Sequence, residues 1–347
     1  MRAGARRGYL DWLRGVAVLI MIESHLLDSW TADPDRQTSA FSLAMILGGM
    51  GAPLFLFLAG VSVPLSAASK LRRTGSVSEA SAAVVRRGLA ILGLAFLFRI
   101  QAWILGWSSP RLLLRVDILN IMGPSIAAAG GLWGLARNTR ERLGVFAAAT
   151  GGLVFLTPII RNAPIGGLPD PIEAYIRPVS NLDTFAFFPW SGFVFAGAIA
   201  GLLLEDTPRS NETRLIVRLT CAGLAVAALS FGLSYLPSPY VNSSFWTTSP
   251  AYFFLRAGIL TAAIGAAYAW QSRPGGTAKW SPLSQLGRTS LFIYWIHVEM
   301  VYGLVSLPLH RALTLPQAVL AYALFTAFML ACSIAKDRLS NLRTLEP

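Results

Sequence analysis

The sequence has few charged residues, few cysteines and few histidines. Only 13% of its 347 residues are charged, whereas soluble globular domains carry about 25%, so an ordinary soluble enzyme is excluded. The two cysteines, Cys221 and Cys332, lie in apolar stretches and provide no disulfide framework. Because the three histidines do not cluster with cysteines, we predict no metal site.

Familiar catalytic motifs are missing as well. The sequence contains no nucleophile elbow, no P-loop and no Gly-rich dinucleotide fingerprint. Its net charge of +12 would suit a nucleic-acid-binding protein. Basic cytoplasmic loops of a membrane protein explain the same charge more simply, and we therefore predict no nucleic-acid partner.

What the sequence does have is long apolar stretches, since 54% of its residues are hydrophobic. A helix needs about 20 mostly apolar residues to cross a lipid bilayer. We therefore predict an all-α fold, a polytopic membrane bundle of about ten transmembrane helices. It would form a single domain over 1–347, with short tails at 1–8 and 336–347. The predicted spans are 10–29, 41–68, 87–107, 115–136, 143–160, 184–204, 215–236, 251–271, 287–307 and 316–335.

Basic residues are unevenly distributed between alternate loops. With the N-terminus inside, the cytoplasmic loops hold nineteen Lys and Arg residues and the opposite loops hold six. Because positive residues favour the cytoplasmic side, we expect both termini to be cytoplasmic.

The first span, 9–30, contains five ionisable side chains, namely Asp11, Arg14, Glu23, His25 and Asp28. A charged side chain at the centre of a membrane helix costs about 2.5–3.5 kcal/mol on insertion scales, and such residues usually serve a function. Arg14 and His25 lie within about 20° of one helix face and about 16 Å apart along the axis. Asp11 and Asp28 lie near that stripe, whereas Glu23 points toward a neighbouring helix.

These side chains suit acyl transfer. His25 can act as a general base or a nucleophile, and Asp28, one turn later, could orient it, so we predict both as catalytic. Arg14 suits an anionic donor group, with Asp11 beside it, although the two could instead form a structural pair.

Three other spans contain polar residues at membrane depth. Arg288 and His297 in the ninth span are predicted to bind the donor with Arg14. Arg99 and Asp117 could bind the acceptor or could simply pair with each other. The predicted acceptor-binding residues are Arg99, Asp117, Asn120 and Trp190.

Two further stretches carry weaker signals. Gly48, Gly49, Gly51 and Pro53 should loosen the second span beside the His25 end of the first, although small residues also allow close helix packing. The loop 237–250, PSPYVNSSFWTTSP, has the aromatic and hydroxyl groups that would suit a carbohydrate. An interfacial aromatic belt would explain its composition equally well.

Three stretches, LDWLRGVAVLIMIESHLLDSW, GGMGAPLFLFLAGVS and LGRTSLFIYWIH, resemble the bacterial heparan-α-glucosaminide N-acetyltransferase-like proteins. These belong to a wider superfamily of transmembrane acyltransferases. Arg14 and His25, with ten residues between them, look like the paired Arg and His of that superfamily.

The resemblance implies an integral protein of the bacterial inner (plasma) membrane. It implies that acetyl-CoA is the cytoplasmic acyl donor, with an extracytoplasmic carbohydrate or other small molecule as acceptor. His25 would be catalytic and Arg14 would lie on the acyl-CoA path. Whether the protein is a monomer or a homodimer is left open.

Two other functions remain in view. Charges at membrane depth could serve a transporter or flippase as substrate or proton sites. However, the glycine-rich part of span two and the Pro189-Trp190-Ser191-Gly192 start of span six, which also weakens a helix, do not form an obvious repeat. A non-catalytic scaffold would have no need of Arg14, His25 and His297 at that depth.

Overall fold

The computed structural model describes residues 7–106, 110–163, 167–179, 185–241, 243–273 and 280–343. These residues are overwhelmingly helical and contain no β-strand, which confirms the predicted all-α class. The only β-type pairing within the described ranges is an isolated parallel bridge between Thr31 and Leu313.

The α-helices of these ranges follow one another along the chain, most of them joined by short connections. They are α1 (Gly8–Trp30), α2 (Ser39–Gly48), α3 (Gly51–Thr74), α4 (Val77–Gly106), α5 (Ile118–Leu135), α6 (Thr139–Phe155), α7 (Thr157–Asn162), α8 (Asp170–Ile176), α9 (Phe187–Asp206), α10 (Glu212–Gly232), α11 (Pro250–Gln271), α12 (Pro282–Arg288), α13 (Ser290–Tyr302) and α14 (Leu315–Arg343).

Eight helical stretches among the described residues are long and apolar enough to cross a membrane. α1 is not among these eight, because any 18-residue window of α1 holds at least three charged side chains. The ninth predicted span is divided between α12 and α13 at Thr289. About ten spans therefore remain consistent with the helices observed.

The second predicted span is also interrupted, as its glycines indicated. α2 ends at Gly48 and α3 begins at Gly51, with a turn at Gly49 and Met50 between them. The last helix continues to Arg343, beyond the predicted end of the tenth span, and 1–6 and 344–347 of the predicted tails lie outside the described residues.

The helices form two compact units. Unit 1 comprises Met1–Ala52, Ile104–Trp107 and Ala266–Pro347, and unit 2 comprises Pro53–Trp103 and Ser108–Gly265. Because unit 1 takes residues from both ends of the chain, no single cut in the sequence separates the two. The single domain over 1–347 stays a prediction.

In unit 1, α1 packs closely along α12. Gly15 faces the backbone carbonyl of Leu283, and Gly287 faces the carbonyl of Asp11, so closely that a Cβ at either glycine would clash. The C-terminal end of α1 is tied by backbone hydrogen bonds to the segment that precedes α14. Leu313 N donates to Trp30 O at 3.0 Å, and Ala32 N donates to Leu313 O at 2.8 Å.

In unit 2, α9 is the central helix and packs against α3, α5 and α6. Glycines again permit the close approach of α9 to α3. Gly197 lies against the backbone carbonyl of Phe57, and Gly201 lies against that of Val61. Small residues at helix crossings are typical of membrane bundles, where close backbone approach supplies the packing contacts.

Candidate active site

His25 and His297 are brought together in unit 1. His25 lies on α1 and His297 on α13, and their rings are nearly parallel, with centroids 5.1 Å apart and planes inclined by 11°. The distance from Nδ1 of His25 to Nε2 of His297 is 3.0 Å, which is a hydrogen bond. His297 is fully buried, whereas His25 is half-buried.

A third group fixes the direction of this hydrogen bond. Nδ1 of His297 lies 2.9 Å from the carbonyl oxygen of Ile293. A carbonyl only accepts, so Nδ1 of His297 must carry the proton and its Nε2 must be the acceptor when the ring is neutral. His25 then donates from Nδ1, and its own Nε2 keeps a lone pair.

That nitrogen is the chemically available atom of the pair. Among the residues that the structure describes, none forms a hydrogen bond with Nε2 of His25. An imidazole nitrogen with a free lone pair can accept a proton or attack an acyl carbon. The backbone carbonyl of Ile293 and the ring of His297 thus hold His25 in the tautomer that both reactions need.

The break between α2 and α3 lies beside the same part of α1. A Cβ at Gly48 would lie 2.6 Å from Cβ of Ser24, and one at Gly51 would lie 3.4 Å from Cγ2 of Ile20. The sequence prediction that the loosened second span lies near the His25 end of α1 is therefore confirmed. The aromatic ring of Tyr302 also packs against His25, and the centroids of the two rings are 5.6 Å apart.

Asp28 does not contact His25 through a hydrogen bond. Its carboxylate accepts from Nη2 of Arg36 at 3.0 Å, and its backbone carbonyl accepts from Nη1 of the same arginine at 2.6 Å. The Nδ1 partner of His25 is His297 instead. The orienting group in this geometry is thus the histidine that the sequence had assigned to donor binding.

Arg14 and Asp11 form the structural pair that the sequence left open. Nη1 of Arg14 donates to Oδ1 of Asp11 at 2.9 Å. The Asp11 side chain is almost completely buried, whereas a quarter of the Arg14 side chain is exposed. Arg14 can therefore still meet a ligand while Asp11 balances its charge, and donor binding by both residues stays a prediction.

Arg288 lines a pocket of about 470 Å³ in unit 1. Beneath it, the amide of the buried Gln285 donates to Oδ2 of Asp337 at 2.8 Å and accepts from Arg288. The pocket is lined by Trp280, Gln285, Arg288, Ile334, Asp337 and Arg338. Sequence reasoning missed Gln285 and Asp337, because only their contact across α12 and α14 reveals them.

Arg99, Asp117 and Asn120 form a polar cluster in unit 2. Arg99 and Asp117 make a buried ion pair of 3.0 Å. Asp117 also caps the N-terminus of α5 and forms a capping box with Asn120. The Asn120 amide donates to the Tyr175 hydroxyl at 3.0 Å. These contacts favour pairing, the alternative to acceptor binding, and the acceptor role stays a prediction.

Trp190 lies at the start of α9 among other aromatic rings. Its ring meets that of Phe185 edge-on, with centroids 4.7 Å apart, beside the apolar cluster around Val116 and Ile121. The guanidinium of Arg256 lies 5.5 Å from its ring centroid. Sequence reasoning assigned Arg256 no role in a site.

The sequence model of one protein family, described as heparan-alpha-glucosaminide N-acetyltransferase, catalytic, matches residues 6–231. The match covers nearly two thirds of the chain. The chain belongs to this family. No curated protein matches it.

Family membership and the apolar helices make this chain an integral membrane acetyltransferase, as the resemblance implied. His25 lies inside the matched residues, whereas Arg288 and His297 lie beyond them. The bacterial origin stays a prediction.

Proposed function

We propose that this acetyltransferase takes an acetyl group from acetyl-CoA on the cytoplasmic side of the membrane. It delivers the group to a hydroxyl or amine of an extracytoplasmic acceptor, which we propose to be a sugar or a similar small molecule. The single observation that carries this proposal is the free Nε2 of His25, held by His297 in a chain of an acetyltransferase family.

Two routes use the same nitrogen. In direct transfer, Nε2 of His25 removes the proton from the acceptor as the acceptor oxygen or nitrogen attacks the thioester carbon, and CoA leaves as the thiolate. In the two-step route, Nε2 attacks the thioester carbon itself and CoA leaves as the thiolate. The acceptor oxygen or nitrogen then attacks the acetyl carbon, the bond from that carbon to Nε2 breaks, and the restored Nε2 takes the acceptor's proton.

His297 supports His25 in either route. When Nε2 of His25 gains a proton or an acyl group, the ring becomes positively charged. Its Nδ1–H then donates to Nε2 of His297 more strongly, because hydrogen bonds from ionised donors are roughly twice as strong as neutral ones. The Ile293 carbonyl keeps His297 in the accepting orientation throughout.

The donor would enter from the end of α1 that carries Arg14. Arg288 and Arg338 provide positive charge and Trp280 provides a flat apolar face in the pocket of unit 1, which suits a nucleotide with phosphates. Gly287 packs against Asp11, so this pocket lies close to the Arg14 end of α1. Arg14 and His25 are about 16 Å apart along the helix, comparable with the length of a phosphopantetheine arm.

The proposal is tested with purified protein in proteoliposomes that receive labelled acetyl-CoA on one side and candidate sugars on the other. We expect labelled acetyl-acceptor to form, and we expect His25→Ala to prevent it. Mass spectrometry of the protein after acetyl-CoA treatment then separates the two routes, since only the two-step route leaves an acetyl group on His25. If the proteoliposomes take up a candidate sugar without any acetyl-CoA and no acetyl transfer occurs, the protein would instead be a transporter.

A further inference from the structure

Arg256 is a buried cation in unit 2. It lies in α11 and is only 8% exposed. Its Cζ atom is 4.2 Å from the ring centroid of Tyr252, 5.1 Å from that of Phe193 and 5.5 Å from that of Trp190. Its Nε is buried and has no hydrogen-bond partner. Within the described part of the chain, no carboxylate forms an ion pair with it.

Three other arginines of unit 2 form ion pairs with carboxylates among the described residues, whereas Arg256 forms none. Arg99 pairs with Asp117 at 3.0 Å, and Arg209 pairs with Glu212 at 2.7 Å. Arg177 pairs with Glu173 in the same way. Aromatic rings attract a cation and offset part of the cost of burying it, but they leave the N–H donors of the guanidinium unused.

Those unused donors define what Arg256 can bind. A guanidinium presents a planar fork of N–H groups that matches a carboxylate or a phosphate through two parallel hydrogen bonds. A buried cation with no counter-charge among the described residues is therefore suited to an anionic group from outside the chain.

The aromatic groups around Arg256 continue into the loop that precedes α11. The ring of Tyr252 lies 5.3 Å from that of Trp246, and Trp246 is 63% exposed. Hydrogen bonds order this loop, since the Thr248 hydroxyl contacts that of Ser243 at 3.0 Å and accepts from Ser244 N at 3.1 Å. Asn242 lies outside the described residues.

An exposed indole beside an ordered row of hydroxyl groups suits a sugar. The apolar face of a sugar ring can lie against the aromatic face, while its hydroxyls meet those of the loop. The composition of the loop left carbohydrate binding and an interfacial belt equally open, and the cation beside it adds a reason to favour ligand binding.

We propose that Arg256, Trp190, Tyr252 and Trp246 form a binding site for a sugar that carries a carboxylate or a phosphate. We name these four residues the Arg256 site. Arg256 binds the anionic group, and Trp246 stacks on the sugar ring. The assignment of this ligand as the acetyl acceptor rests on the proposed function, whereas the binding itself does not.

The test measures binding by the full chain in nanodiscs of zwitterionic phosphatidylcholine, without acetyl-CoA. Tryptophan fluorescence is titrated with glucuronate and glucose 1-phosphate, and with glucose and inorganic phosphate as matched probes. We expect at least one anionic sugar to bind about tenfold or more tightly than both glucose and inorganic phosphate, the difference that about 1.4 kcal/mol of added interaction gives. Inorganic phosphate binding as tightly as glucose 1-phosphate would overturn the sugar part of the proposal.

Variants connect binding to the proposed residues. Arg256→Gln is expected to lower the affinity for the anionic sugar by about tenfold or more. Trp246→Ala is expected to lower the affinities for the anionic sugar and for glucose by similar factors. Arg209→Gln removes one positive charge from the same unit, outside the site, and should bind like wild type. Equal binding by Arg256→Gln and wild type would overturn the proposal.

Stability measurements separate binding from a purely structural role. A ligand that binds the folded state raises Tm by mass action, so the anionic sugar should raise the Tm of wild type and of Arg209→Gln. Arg256→Lys keeps the positive charge among the aromatic rings, so this variant should fold. Its Tm should rise less on addition of the anionic sugar, because lysine lacks the planar fork of N–H groups. A wild-type Tm that neither anionic sugar changes would show that Arg256 is structural. Because no donor is present, this failure would leave the proposed acetyl transfer untouched.

Discussion

Two polar regions of the molecule differ in how their side chains are paired. In unit 2, Arg99, Asp117 and Asn120 bond to one another, to the N-terminus of α5 and to Tyr175. In unit 1, Nδ1 of His25 donates to His297, which in turn donates to the Ile293 carbonyl, and Nε2 of His25 takes part in neither hydrogen bond. In the first region the two charges are paired with each other, although the buried Nε of Arg99 has no hydrogen-bond partner. In the second region, Nε2 of His25 has no hydrogen-bond partner among the described residues and can accept one from a ligand.

The difference explains why polarity at membrane depth does not by itself identify a catalytic residue. A buried polar group is costly unless it is bonded, so structural groups tend to be fully satisfied. A catalytic base must keep a lone pair for the substrate. Substitutions in the histidine pair should therefore lower the rate of acetyl transfer. Substitutions in the cluster of Arg99, Asp117 and Asn120 should instead lower the stability of the protein.

Replacing His25 has the largest expected effect. His25→Ala removes the free ring nitrogen, and general base catalysis contributes about 10²–10⁴-fold to rate. Turnover of acetyl-CoA in proteoliposomes should therefore fall by that factor. Tm should fall modestly, because Nε2 of the buried His297 loses its hydrogen-bond partner, which costs about 1–3 kcal/mol. Turnover equal to that of wild type would remove His25 from the mechanism.

Gly287→Ala should come next. The added Cβ clashes with the Asp11 carbonyl and pushes α12 away from α1, which disturbs the alignment of the two histidines. Misplacement of reacting groups by about 1 Å can cost about 10²-fold in rate, and overpacking costs about 1–3 kcal/mol of unfolding free energy. The rate of acetyl transfer and the free energy of unfolding are measured on the same preparation.

Gly131→Ala is the matched control for Gly287→Ala. Gly131 lies within α5, and a Cβ there would have no neighbour within 4 Å. Alanine is more favourable than glycine in a helix by about 0.5–1 kcal/mol, so this variant should be slightly more stable and fully active. Equal activity in both variants would show that the α1–α12 contact does not position the site.

Two substitutions of His297 test its positioning role. His297→Ala leaves Nδ1 of His25 without an acceptor and should lower kcat by about 10- to 100-fold, given that one removed hydrogen-bond partner costs about 1–3 kcal/mol. His297→Gln can offer a carbonyl oxygen to Nδ1 of His25 and should recover part of the rate. Equal losses in the two variants would contradict a role through the hydrogen bond.

Asp117→Ala should act on stability rather than on turnover. It removes the cap of α5 and leaves Arg99 as a buried unpaired cation, which costs about 3–5 kcal/mol. Turnover per folded molecule should match that of wild type, and Arg99→Met combined with Asp117→Ala should recover stability. A raised KM for the acceptor in the folded variant would support the acceptor-binding role predicted from the sequence.

Asp28→Asn should have the smallest effect. The carboxylate is partly exposed and pairs with Arg36, and surface ion pairs contribute about 0.2–1 kcal/mol. Tm should fall slightly and kcat should stay near the wild-type value. A fall in kcat as large as that of His297→Ala would restore Asp28 as the group that orients His25.

The sequence was sufficient for the all-α class and for most of the apolar helices, because these depend on local hydrophobicity. The catalytic role of His25 stays a prediction. The sequence was not sufficient for the partner of His25. His25 and His297 are 272 positions apart, and their contact depends on the register between α1 and α13, which no local pattern encodes. Helical periodicity placed Asp28 near His25, but it could not show that Arg36 reaches back to the carboxylate from the following turn.

The two attachments of α1 have a consequence for movement within unit 1. Near its start, Gly15 and Gly287 make backbone contacts with no room for a methyl group, and its end is bonded to Leu313. A shift of α1 by one residue, about 1.5 Å along its axis, would break both attachments at once. We therefore expect α1 to keep its position within unit 1 during any motion that opens the region around His25.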